Sequence, residues 1–164
     1  MTNGQLHVIL ATVLDKAGNN RAEAARIMKR YALAQAISVE EQLNDEDALV
    51  LAAAAILYDL NDKTLNPDDT EGNPFKPIVI ADYVKMILDD VDAPVFEAAA
   101  IGSLVAMQKH GTGIENRLHR LLLDIRTLVA LDEANATAEE VADALETFSA
   151  ESTKRRLMLM FSAE

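Results

Sequence analysis

From Asp45 to Lys63 the chain is first polar, then free of charge from Ala48 to Tyr58, then acidic again. An apolar run without a polar stripe belongs to a helix enclosed by protein on every side, so this segment is expected to be the central helix. Asn44 stands before it, suited to accept its free N–H groups. Around this run the spacing is amphipathic. Gln5 to Ala17 puts Leu6, Ile9, Leu10, Val13 and Leu14 on one face, with Gly18 as the stop. Arg21 to Gln42 follows, capped by Asn19 or Asn20, with Ala24, Ile27, Met28, Tyr31, Ala34 and Ile37 as its inner stripe. Pro77 opens a helix to about Asp90 and Pro94 another reaching His110, both at positions that need no N–H. Ile114 to Glu133 turns Leu118, Leu121, Leu122, Ile125, Leu128, Val129 and Leu131 inward. Thr137 and Glu140 form a capping box for a helix to about Ser149, and Thr153 to Phe161 makes the last segment. The pattern predicts an all-α bundle of seven or eight helices in one domain, residues 1–164, with a core of about 21–133 and helices appended at both ends.

The periodicity disappears from Leu60 to Lys76, where prolines, a glycine and carboxylates replace it. A connection of this length inside a compact domain is either functional or a solvated acidic link, and both readings stand. The residues are 50% hydrophobic but only 4% aromatic, with Ala and Leu dominant, which reinforces helix over sheet. The net charge of −12 repels phosphate backbones and anionic lipid heads, so neither nucleic acid nor a membrane is expected as a partner. Without cysteine there is no disulfide framework and no thiol chemistry, which suits a cytoplasmic protein. The first residues hold no basic region followed by an apolar core, so no secretory leader is expected, and the longest apolar run is too short to span a bilayer.

Candidate chemistry is sparse. His7, His110 and His119 have no spacing that would bring two of them to one metal. Serine nucleophile motifs and glycine-rich phosphate loops are absent. Asp59 stands out, because a carboxylate at the end of a buried helix is costly unless a cation, a metal or several donors meet it. Met28, Met86, Met107, Met158 and Met160 read as gap fillers in helical cores. Lys154, Arg155 and Arg156, beside the apolar run Leu157 to Phe161, are read as packing on the body or against a second subunit in a homodimer.

The order of these elements resembles the HD-domain superfamily of metal-dependent phosphohydrolases, over roughly Arg21 to Asp132. Ala54 to Asp59, Ala-Ala-Ile-Leu-Tyr-Asp, looks like the stretch that ends in the family's His-Asp doublet. Asn61-Asp62-Lys63 looks like the Asp-X-Lys that follows it, and Asp124 to Leu131 is similar to the late aspartate motif. The resemblance implies an HD-like helical bundle, and a site where histidines and aspartates hold divalent metal that activates water against a phosphate ester. This chain departs from the pattern. The first histidine position falls on Arg26, the doublet histidine on Tyr58 and the late aspartate on Arg126, so that only Asp59 of the four ligands remains. A register shifted by two makes Asp124 a second survivor, although helical register favours Arg126.

One carboxylate does not hold a divalent ion against water, so no cofactor is expected. The leading reading is a degenerate, inactive HD-like module in which Arg26 and Arg126 flank Asp59, Tyr58 adds a hydroxyl, and the pocket binds a phosphate-bearing small molecule. Beside it stands a plain structural ion pair in place of the lost metal. An active phosphohydrolase using Asp59, Asp62 and Asp124 with Mn, Mg, Ni or Fe is the alternative, and a helical scaffold or dimerisation protein is a further one. Asp62 and Lys63 are secondary candidates that read equally as a surface pair.

Overall fold

The computed structural model describes residues 1–58, 76–107 and 116–161, and for 76–81 and 107 the backbone alone. Asp59, Asp62, Lys63, His110 and the stretch 60–75 lie outside these residues. The described chain forms eight α-helices and no strand: α1 Asn3–Ala17, α2 Arg21–Glu40, α3 Asp45–Leu57, α4 Lys76–Asp90, α5 Val95–Met107, α6 Arg117–Ala134, α7 Ala138–Thr147 and α8 Glu151–Phe161. The all-α bundle is as the periodicity predicts. No helix among the described residues is long and apolar enough to cross a membrane.

α3 is the axis of the bundle. Every residue from Val50 to Leu57 is buried, and α1, α2, α5 and α6 all pack against it. Asn44 starts the helix by accepting the Asp47 N–H at 2.8 Å, and Asp45, Glu46 and Asp47 lie in the first turn, where the helix dipole favours negative charge. Ala52 to Ala55 present so little side chain that neighbouring helices approach closely on several sides. Burial of Val50, Leu51, Ile56 and Leu57 contributes at most about 6–12 kcal/mol, at roughly 1.5–3 kcal/mol for each side chain.

The helix ends follow local chemistry. Both bonds of the expected Thr137–Glu140 capping box are present, and Thr2 with Gln5 makes a second box ahead of α1. Gly18 ends α1 at φ 54°, as anticipated, but three later stops use residues other than glycine. Gln42 (φ 52°), Asp92 (φ 51°) and Asn135 (φ 50°) are left-handed. Each is followed by an N–H that reaches back to the carbonyl five residues earlier: Leu43 to Ser38 at 3.0 Å, Ala93 to Leu88 at 2.9 Å, Ala136 to Leu131 at 3.0 Å. α6 starts at Arg117 under an Asn116 cap, later than the expected Ile114.

Two expectations about packing are corrected. The inner face of α2 runs through Glu23, Ile27, Arg30, Ala34 and Ile37, while Met28 is 44% exposed. Steps of four and three keep these five on one seam, and that geometry carries two charged side chains inward while leaving an apolar one outside. Met86, Met158 and Met160 are likewise not core fillers, since they also lie substantially in solvent, and the Met107 side chain lies outside the described residues.

Candidate functional site

The seam of α2 delivers Arg30 to the C-terminal end of α3. There the guanidinium carbon of Arg30 lies 5.9 Å from the centre of the Tyr58 ring, and that of Arg126, from α6, lies 5.6 Å away. Both distances fall within the range where a cation is drawn to an aromatic face, worth roughly 0.5–2 kcal/mol according to solvation. Tyr58 is 6% exposed and Arg30 only 2%, whereas Arg126 is exposed. The site therefore has a buried floor of one arginine and one tyrosine, and a second arginine at its edge. Its position is electrostatically apt, because the C-terminal end of a helix carries partial negative charge.

The residues singled out from the sequence separate into groups. Tyr58 and Arg126 come together as described. The Arg26 guanidinium meets Glu133 at 2.9 and 3.0 Å through Nε, and Glu23 at 3.1 Å through Nη1. Lys29 pairs with Asp132 alongside, so Arg26 belongs to a ladder of ions between α2 and the end of α6. Arg30, one turn beyond Arg26, was not among the sequence candidates. The readable signal for it is its place between Ile27 and Ala34 on the seam.

Asp124 has a different employment. Although only 5% exposed, its carboxylate accepts the Ser149 N–H at 3.0 Å, the Ser149 hydroxyl at 2.9 Å and the Thr153 hydroxyl at 2.7 Å. It thereby caps the start of α8, where the helix dipole favours a negative charge. Asp124 and Arg126, two positions apart, are about 200° apart around the helix, so their side chains serve opposite faces of α6. His7 is exposed and His119 is buried on α6, its Nε2 without a hydrogen-bond partner.

α8 is tied to the body by further charges. Arg155 donates to Glu40 at 2.6 Å and Arg156 to the other carboxylate oxygen, and together they hold the Glu40 carboxyl below its usual range against the opposing effect of burial. Ser152 and Arg117 do the same for Glu41, whose carboxylate receives Arg117 Nη2 at 2.8 Å. With Leu157 fully buried, the basic run of the last helix thus packs on its own chain.

Among the described residues no three His, Asp or Glu side chains gather in the way that a metal centre requires. Comparison of the chain with protein-family models, with curated proteins and with solved structures finds no match. The HD-domain likeness accordingly rests on the sequence motifs quoted for it.

Proposed function

We propose that the protein is a non-catalytic binding module of HD-like descent, and that the end of α3 receives the phosphate group of a small molecule. The observation that carries this reading is the convergence of Arg30 and Arg126 on one face-forming residue, Tyr58. Two guanidiniums that share a ring lie no farther apart than the sum of their distances to it. Two guanidiniums gathered about one ring at the end of a helix, one of them almost fully buried, concentrate positive charge where an anionic group can pair with it. A guanidinium offers a planar pair of N–H donors to a phosphate, and the tyrosine ring provides an apolar wall against a base or sugar. In a chain of net charge −12, cations gathered at one point also favour the approach of an anion there.

The test is isothermal titration calorimetry of the intact chain with inorganic phosphate, pyrophosphate and a nucleoside diphosphate. Saturable binding of at least one of them is expected, weakened roughly tenfold or more in Arg126→Gln, which removes an exposed side chain and leaves the fold intact. Absence of binding by all three ligands overturns the reading. Hydrolysis of the nucleotide on addition of manganese, abolished in Asp59→Ala, would replace it with the hydrolase alternative.

A further inference from the structure

The outer face of α5 differs from the rest of the surface. Its exposed residues are Val95, Phe96, Ala99, Ala100, Ser103 and Ala106, and none is charged. The charged residue of this helix, Glu97, is turned to the body, where it meets the Met1 amine at 2.5 Å. Phe96 is 86% exposed and Val95 80%, the highest values among the exposed large apolar side chains. Beside them, between α4 and α5, runs a mainly apolar groove of about 430 Å³ whose walls include Val84, Leu88, Ala98 and Gly102.

Gly102 adds an independent observation. It sits inside a helix, where alanine is favoured by roughly 0.5–1 kcal/mol, and a Cβ built on it would meet no atom within 4 Å. Among the described residues no packing contact calls for glycine there, and the space beside it is open to a group approaching from outside.

We infer that α5 is the interface of a two-fold homodimer in which Phe96 of each copy enters the α4–α5 groove of the other at Gly102. A two-fold contact requires projection and recess on the same patch, and this patch holds both side by side. The small residues Ala99, Ala100 and Ser103 allow the two α5 helices to approach to about 8 Å. Lys85 and Asp89 on the groove wall pair with each other within α4, so the wall brings no unbalanced charge to the interface. The two Phe96 rings alone would bury about 300–500 Å², a quarter or more of the roughly 1,200 Å² in the smallest stable interfaces. In a protein of net charge −12, an uncharged helix face is also where two copies repel each other least.

Sedimentation velocity of the full chain from micromolar to near-millimolar concentration tests the inference. The wild type is expected to approach twice the chain mass. Phe96→Glu should raise the dissociation constant by roughly a hundredfold or more, since a central aromatic anchor is lost from both copies. The fold is safe in this variant, because Phe96 is exposed and an acid is favoured in the first turn of a helix. Gly102→Leu, which improves the helix and fills the groove, should also give monomer with undiminished helical circular dichroism. Leu159→Glu, on the exposed side of α8, should leave the dimer unchanged. A wild type that stays monomeric throughout overturns the inference, as does a dimer that survives both α5 variants or is lost with Leu159→Glu.

Discussion

The two faces of α6 handle charge in opposite ways. On one, Asp124 is an anion surrounded by donors from Ser149 and Thr153, all from the start of α8. On the other, Arg126 joins Arg30 against the Tyr58 ring, so that like charges are collected at one place. The first arrangement satisfies a charge with the chain's own polar groups and serves to hold a helix. The second gathers two cations about one ring, which is the feature on which the proposed anion site rests. A likeness between Asp124 and a family's metal ligand, read along the sequence, does not reveal this division; the direction of the side chain does.

The largest effect expected from breaking the comparison is on the Asp124 side. Asp124→Ala leaves the Ser149 N–H and hydroxyl without their acceptor, while the Thr153 hydroxyl keeps the Ala150 carbonyl, and should cost about 3 kcal/mol, with loss of α8 docking, measurable by urea denaturation. The neighbouring carboxylates sharpen the same side through pH. Glu40 and Glu41 titrate below their ordinary value of 4.5 in the folded chain, so their contribution is present above that value and is lost as pH falls through the lowered one. The thermal midpoint should therefore fall with pH below about 4.5, and the fall should be shallower in Glu40→Gln.

Changes on the arginine side should be smaller in stability. Arg126→Gln is expected to cost less than about 1 kcal/mol, since the side chain is exposed and its ring contact is modest. Arg26→Gln should cost about 1 kcal/mol, because its bond to Glu133 joins partly exposed groups while its loss also removes a partner of the buried Glu23. Unlike Arg126→Gln, it should leave phosphate affinity within about twofold, as a titration of both variants would show. Equal losses of affinity would place Arg26 in the site and remove the distinction drawn between it and Arg30.

Much of the fold was legible because local signals agreed. The uncharged run before Asp59, the Asn44 cap, the Thr137–Glu140 box and the glycine stop at Gly18 each point to one structure, and the helices occur where they indicate. Gln42, Asp92 and Asn135 were less readable as stops, since residues other than glycine adopt the left-handed region only when the surrounding chain enforces it. The inner stripe of α2 was misread for a different reason. Choosing apolar residues first favours Met28 over Arg30, yet the spacing from Ile27 to Ala34 leads through Arg30.

The site was legible only in part. Tyr58 and Arg126, both singled out from the sequence, are near neighbours in space. The role of Asp124 depends on Ser149 and Thr153, 25 and 29 residues away, and no local pattern announces a cap supplied from so far along the chain. The outer face of α5 was equally silent in sequence, because a run of Ala with Phe96 reads as core until the structure shows which side is covered.

The division of α6 into an anchoring face and a proposed binding face is tested most directly by one paired measurement: urea stability and pyrophosphate affinity determined together for Asp124→Asn and Arg126→Glu. The account predicts that Asp124→Asn loses stability and, under conditions where it is folded, keeps its affinity, while Arg126→Glu keeps its stability and loses binding by roughly tenfold or more. Binding that survives Arg126→Glu, or stability that survives Asp124→Asn, would contradict it.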